Sequence, residues 1–349
     1  MTMQSEKTNR QWLLARRPSG QLSRKDFEYA ESPVPSAPLN VGEVRIRNLA
    51  FRCTPTMRNW MEPPGNSLHP SMSLGEPVRS AAAGYIVESA NPAFKIGDRV
   101  QTPSRWQDYS TLNETSLALA TKIAPGTSYL DALGRYGLNP LTAYFGLLMV
   151  GQPKSGETLV VSAAAGSTGS IAAQIGKLKG MKVIGIAGGA KKCAWLANEL
   201  GIDAIDYKGE DLAKRLAELA PNGIDIFYDN VGGEVLQAAV NNMARFGRIV
   251  LCGQISAYDS SKQPEGPRNM MRLIYGSVRM QGFLCPNYEH LYAEAVEDLR
   301  AWTQSGKLIH REQILSGFES LPEAFLSLFA GSNEGTVLVK IDESAADLP

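Results

Sequence analysis

The stretch SAAAGSTGS, residues 162–170, stands between the apolar run TLVV and the helix-like run IAAQIGKLKG, and its reading decides the fold. Small residues in such a turn let backbone amides approach a pyrophosphate, while the helix that follows aims its positive end at the same anion. Gly166 and Gly169 fill the second and third glycine positions of a dinucleotide-binding turn and Ala164 the first, giving AxGxxG. Alone the pattern is weak, because strings of small residues also arise where helices pack tightly. Context strengthens it. A strand pattern precedes the turn, and Ile171, Ile175 and Leu178 share one face of the helix pattern behind it. A second strand, KVIGIAGG, then follows at the spacing of a β-α-β unit.

Outward from the turn, strand and helix patterns alternate from LTAYFGLLMV onward through TLVVS, KVIGIAGG, AIDY, IDIFYDN, RIVLCG and VRMQGF. About six strands spaced in this way predict a doubly wound parallel sheet of Rossmann type. The first third has another texture, rich in Pro and Gly, with short segments such as EVRIRNLAF, GYIVES and DRVQT that read as strands and turns. The tail closes on the β-rich GTVLVKI, which rejoins this first domain. The expected organisation is α/β. Residues 1–129, completed by 310–349, read as a β-rich domain, and residues 130–309 as the Rossmann domain. A chain of 349 residues exceeds the usual limit of one core, which agrees with two domains.

Composition narrows the partners. Thirty-five basic and 35 acidic residues give zero formal net charge, so no global field draws the chain to nucleic acid or to an anionic membrane. A small-molecule ligand is the better expectation. Four cysteines, Cys53, Cys193, Cys252 and Cys285, lie far apart without CxxC spacing, which suggests reduced thiols in a cytoplasmic protein. The start MTMQSEKTNR is polar, and the longest apolar stretch is too short to span a bilayer, so neither export nor membrane insertion is expected.

The end of the second strand selects the cofactor. An acidic residue there would accept hydrogen bonds from a free adenosine ribose, but the chain has Gly188 and Gly189. A 2′-phosphate meets no repulsion, and Lys191 and Lys192 follow at the start of the next helix, which favours NADP over NAD. Lys191 reads as a solvated surface charge. Lys192 reads as the phosphate partner, with a plain surface lysine as the alternative.

LTAYFGL, VVSAAAGSTGS, AQIGKLKG, GIAGGAKKC, DYKGED, YDNVGG, GRIVLCGQIS and GTVLVKI together resemble the zinc-independent medium-chain dehydrogenase/reductase superfamily. Within it they resemble the branch of prostaglandin reductases, leukotriene B4 dehydrogenases and curcumin or alkenal double-bond reductases. The resemblance implies a GroES-like domain built from both chain ends, a central Rossmann domain with NADPH in the cleft, and a homodimer. By matching motif it implies that Gly166, Ser167, Thr168 and Gly169 hold the pyrophosphate, and that Lys192 and Tyr207 contact the phosphorylated adenosine. Asn230, Cys252, Gly253, Ile255, Ser256, Tyr258, Phe283, Leu284, Cys285 and Asn333 would line the remainder. Some of these have plainer alternatives: Asn230 as a helix cap, Phe283 as sheet core, Tyr207 as a surface aromatic.

Zinc-dependent relatives need a His-containing ligand set with an open position. Here the corresponding triplet is Gly75, Glu76, Pro77, and the three histidines His69, His290 and His310 are not at ligand spacing. No metal is expected, and Cys53 reads as a small buried hydrophobe. Without a Lewis acid, hydride transfer suits an alkene activated by a conjugated carbonyl, with Tyr258 as the helper that donates to the oxygen or relays a proton. A pocket wall without a chemical role is the alternative for Tyr258. The chain departs from the family where Asp-Pro-Tyr-Met-Arg becomes Thr54, Pro55, Thr56, Met57, Arg58, and where Arg-Gly-Gly becomes Arg79, Ser80, Ala81. An aromatic wall is lost and the second loop gains side-chain volume. Enone and alkenal reduction leads the expectations, with quinone reduction or a catalytically silent NADPH-binding protein as alternatives.

Overall fold

A computed structural model describes residues 8–65, 70–259 and 266–346. His69 and the first seven residues of the polar start lie outside the described residues. The chain divides into two compact units, one made of residues up to Arg135 together with those from Gln313 onward, the other of Tyr136–Glu312.

In the first unit the strand Val44–Cys53 is the spine of an antiparallel sheet. It pairs with Arg79–Ser89 on one side and, on the other, with Thr336–Lys340 near the end of the chain and Tyr109–Leu112. Phe51 stands opposite both Ala82 and Val339, so the tail is a structural member of the N-terminal sheet. Trp12, Phe51, Trp106, Phe318 and Phe325 fill the main core beneath it. The expected division at 129/130 moves to 135/136 because the helix Tyr129–Leu133 packs Leu130 and Leu133 against Leu49, Ala83 and Leu338 of this unit. At the other boundary Ile309 donates its N–H to Gln174 at 2.7 Å, which ties residues just past 309 to the second unit.

A polar knot ties the N-terminal strand Thr8–Leu14, which lies in a separate two-stranded sheet, to the spine strand. Asp108 accepts two bonds from the Arg10 guanidinium at 3.0 Å each and one from Arg47 at 2.5 Å. Burial alone would raise the Asp108 carboxyl, but the bonds from Arg10 and Arg47 outweigh it and hold the group below its usual range.

The second unit contains, among the described residues, six parallel strands: β1 Thr158–Ser162, β2 Lys182–Ala187, β3 Asp203–Asp206, β4 Ile224–Asp229, β5 Met243–Leu251 and β6 Arg279–Gly282. Their order is β3-β2-β1-β4-β5-β6, the doubly wound order, which reverses direction between β1 and β4. Helix α1, Ser167–Leu178, joins β1 to β2, and α2, Ala190–Asn198, joins β2 to β3. The strands carry continuous apolar runs such as Leu159, Val160 and Val161, all fully buried, as expected of a parallel sheet covered on both faces.

LTAYFGLLMV lies not in a strand but in the helix Leu138–Phe145 and the π-helical turn Gly146–Gly151. A Cβ on Gly146 would lie 2.5 Å from the Phe283 ring and 2.6 Å from the Tyr228 hydroxyl. That hydroxyl donates to the Thr142 carbonyl at 2.9 Å, so the glycine lets two aromatic side chains enter the widened turn.

Asp108→Asn should cost about 3 kcal/mol in urea unfolding, since it removes the buried counter-charge of two half-buried arginines. Because the folded pKa is depressed, the contribution is fully present above the unfolded value near 3.9 and is lost as pH falls through the folded one. The wild-type protein should therefore lose stability below about pH 4 faster than the variant does.

Candidate functional site

Every predicted cofactor residue except Asn333 lies just past the carboxyl end of a parallel strand. Gly166 to Gly169 follow β1, Lys192 follows β2, Tyr207 follows β3 and Asn230 follows β4, while Cys252 to Tyr258 follow β5 and Phe283 to Cys285 follow β6. This is the edge at which open α/β sheets bind ligands, and the reversal between β1 and β4 opens it.

At the turn after β1 the bend is made by Ala163, which takes left-handed backbone at φ 49°, one residue before the Ala164 that the motif places first. Ala164 is fully buried, and a Cβ on Gly185 of β2 would come within 2.8 Å of its methyl. Gly166 is the N-cap of α1, and its N–H donates to the Ala163 carbonyl at 2.9 Å. A Cβ on Gly169 would stand 2.3 Å from that carbonyl oxygen, and one on Gly166 would stand 3.1 Å away. Gly169 is therefore demanded by backbone against backbone, which brings the start of α1 close to the strand. First-turn amides of a helix have no carbonyl ahead of them and face outward with the positive end of the dipole. Ser167 and Thr168 are half-buried here, and the Ser167 hydroxyl accepts from the Asn139 side chain at 2.7 Å.

Across the switch point a buried network joins β1 to β4. The Ser162 hydroxyl donates to Asp229 at 3.0 Å and accepts the Asn230 N–H at 2.8 Å. Asp229 also takes the N–H groups of Val231 and Gly232 at 2.9 and 3.0 Å. Burial pushes the Asp229 carboxyl up, against the pull of these donors. The Asn230 side chain donates to the Ser162 carbonyl at 2.8 Å, and the next helix, Gly233–Asn241, has Gly232 as its N-cap with no side-chain cap bond. Asn230 is thus an inter-strand tie and not a helix cap.

At the end of β2, Lys191 is exposed and Lys192 half-buried on the first turn of α2. Tyr207 is 48% exposed and its ring lies over Gly188, where a Cβ would come within 2.9 Å. An acidic residue does stand nearby. Asp206, the last residue of β3, accepts the N–H groups of Gly189 at 2.8 Å and Lys208 at 3.0 Å. The Gly189 amide, first among these donors, holds its carboxyl below the usual range.

The loop after β5 is tied to that after β4: Ile255 donates to the Asn230 carbonyl and Ser256 to that of Val231, both backbone bonds at 3.2 Å. Cys252 and Gly253 donate to the Asp229 carbonyl at 2.8 and 3.0 Å. Burial pushes the Cys252 thiol up to about 12, which makes it an inert thiol at neutral pH. The Tyr258 hydroxyl accepts the Gln254 N–H at 3.1 Å, an arrangement that leaves its own O–H available to donate. Phe283 packs against the core at Gly146, Leu284 is 56% exposed, and Cys285 is buried with its sulfur accepting from the Tyr292 hydroxyl at 3.3 Å. Asn333 belongs to the other unit, where its side chain donates to the Gly335 carbonyl at 3.3 Å.

Within the first unit, Thr56 is exposed on the 3-10 helix Pro55–Met61, whereas Met57 and Arg58 are buried. Arg58 pairs with Glu62 at 2.5 Å. Arg79 donates to the Pro70 carbonyl at 2.8 Å, and the Ser80 hydroxyl is turned into the sheet, donating to the Arg52 carbonyl at 2.8 Å. Cys53 is buried, and burial pushes its thiol up to about 12. Among the described residues no three His, Cys, Asp or Glu side chains come together to hold a metal, and no helix is long and apolar enough to cross a membrane.

A doubly wound sheet with a glycine turn at its reversal is a dinucleotide-binding unit, and its partner unit is β-rich. Residues 10–119 match the family described as N-terminal domain of oxidoreductase, and residues 167–301 match that described as zinc-binding dehydrogenase. The chain is 37% identical to the NADPH-dependent curcumin reductase of Escherichia coli, over 97% of this chain and 98% of that one. It is 39% identical to prostaglandin reductase 1 of Bos taurus, over 94% and 98%. A solved structure of CurA in complex with NADPH from Vibrio vulnificus superposes with a TM-score of 0.89 at 36% identity, covering 96% of this chain and 99% of that one. The chain belongs to the medium-chain dehydrogenase/reductase superfamily, in the zinc-independent branch of the prostaglandin, curcumin and 2-alkenal reductases.

The Gly169 contact gives a direct check on the turn. Gly169→Ala should cost about 1–3 kcal/mol in urea unfolding, because the new methyl meets a carbonyl oxygen and not a flexible side chain. Unchanged stability would mean that α1 does not approach β1 so closely.

Proposed function

We propose that this protein reduces the carbon–carbon double bond of α,β-unsaturated ketones and aldehydes with NADPH, without a metal. The observation that carries the reading is the close approach of α1 to β1 at the switch point, where Gly169 stands against the Ala163 carbonyl and brings the start of the helix, with its positive end, to the place a pyrophosphate would take. Gly166, Ser167, Thr168 and Gly169 would hold that pyrophosphate, with Lys192 and Tyr207 at the 2′-phosphate. NADPH bound there supplies a hydride to the β-carbon of the substrate. Names of relatives support the reading: a curcumin reductase, a prostaglandin reductase and an NADP-dependent 2-alkenal reductase.

The residues of this chain then have separate tasks. Asn230 and the Ser162–Asp229 network keep the ends of β1 and β4 at a fixed spacing. Tyr258, accepting from the Gln254 amide, presents its O–H toward the charge that develops on the substrate oxygen. Free thiols support a cytoplasmic setting. The outer edge of β6 and the exposed Met270, Met271, Ile274 and Tyr275 support a homodimer.

Purified protein with NADPH and a panel of enones and enals should consume the reduced-nicotinamide absorbance. Faster turnover of quinones would replace the alkene assignment, and tight NADPH binding without any product would leave a silent binding protein. Lys192→Ala should weaken NADPH by on the order of 1.5–3 kcal/mol while leaving NADH nearly unchanged; equal losses would remove Lys192 from the phosphate. Tyr258→Phe should slow kcat by about a hundredfold at unchanged NADPH affinity. An unchanged rate would make the ring a pocket wall.

A further inference from the structure

We propose that Asp206 is a positioning residue for the choice of cofactor, holding the Gly189 turn so that Lys192 faces the 2′-phosphate. The inference rests on the reading of Lys192 given above and adds a residue that lies one layer behind it.

The chain of contacts is short. Asp206 Oδ1 accepts the Gly189 N–H at 2.8 Å from the neighbouring strand. Gly189 is the N-cap of α2, in left-handed backbone at φ 94°, and has no side chain with which to cap the helix itself. Its carbonyl accepts the N–H of Lys192 at 3.1 Å and of Cys193 at 3.2 Å. The first turn of α2, and so the direction in which Lys192 leaves the backbone, thus starts from a residue whose preceding peptide unit, Gly188–Gly189, is held by Asp206 and whose following one carries the carbonyl that caps the turn. The same clamp keeps Gly188 beneath the Tyr207 ring, where a Cβ would come within 2.9 Å. Both suggested phosphate contacts therefore depend on one carboxylate.

An acidic group beside an adenosine site could also act through its charge, by repelling a 2′-phosphate. The bonding argues for the clamp. Oδ1 is shared between the Gly189 and Lys208 amides, and these donors neutralise much of the field that the carboxylate would project. The backbone of Asp206 is anchored separately, its N–H donating to Glu210 at 2.8 Å, and Glu210 in turn accepts from Arg215 at 2.8 Å. Removing the carboxylate should therefore loosen the turn without freeing the strand end.

The test compares Asp206→Ala, Asp206→Asn and Lys192→Ala in the full chain, reading Kd for NADPH and NADH by calorimetry beside thermal melts. Asp206→Ala should lower the NADPH-to-NADH preference by about tenfold, the worth of one charge-assisted hydrogen bond, with NADH affinity and melting temperature little changed. Asp206→Asn should retain most of the preference, because its amide oxygen can accept the same two N–H groups. The proposal is overturned if Asp206→Ala leaves the ratio intact while Lys192→Ala abolishes it. It is equally overturned if Asp206→Asn matches the alanine variant, or if it tightens NADPH, which would mean that charge and not acceptance matters. If Lys192→Ala leaves the ratio intact, the underlying phosphate reading fails first and the clamp has nothing to position.

Discussion

The contact between Gly169 and the Ala163 carbonyl is the constraint on which the cofactor edge depends. A helix can start this close to the strand that feeds it only if the residue facing the turn has no side chain. Close approach places the positive end of the helix dipole and its first-turn amides over the reversal between β1 and β4, and the other loops of the sheet then gather around that point. Ala163 makes the accompanying bend at the energetic disadvantage of a left-handed alanine, which the surrounding strand and helix over-determine.

A second layer, polar and buried, turns proximity into geometry. Ser162, Asp229 and Asn230 bind strand to strand by hydrogen bonds that leave few donors or acceptors unmatched, in surroundings where an unmatched group is costly. Asp206 has the corresponding role on the far side of β2, where it ties β3 to the turn that follows β2. Loops at the mouth of a sheet are ordinarily its most variable portion. Here the loop after β4 is tied to the end of β1 and to the loop after β5, and the turn after β2 is tied to β3.

Much of this was legible in the residues themselves. Apolar runs such as TLVV and KVIGIA, separated by amphipathic helices, specify buried parallel strands because only a sheet covered on both faces makes such runs favourable. All six strands of the second unit were visible in that way, and so was the return of GTVLVKI to the first. The turn was legible as small residues in a strand-turn-helix context, but not the assignment of the bend to Ala163, since positive φ depends on how the helix docks. LTAYFGLLMV offered length and apolarity without period, and its π turn depends on two distant aromatics, Phe283 and Tyr228. Asp206 was missed for a like reason: its partner Gly189 lies 17 residues away, and only the β2–β3 pairing brings the two together.

The pairing of Phe51 with Val339 has a bearing on biosynthesis. A ribosome releases Val44–Cys53 long before Thr336–Lys340, so the spine of the first sheet waits through nearly the whole translation with one neighbour missing. The interior unit, contiguous from Tyr136 to Glu312, emerges complete in between and can condense while its host is still open. Maturation of the N-terminal half is therefore timed by the last strand to be made, and its exposed edge is the region of the nascent polypeptide most in need of shielding from other strands.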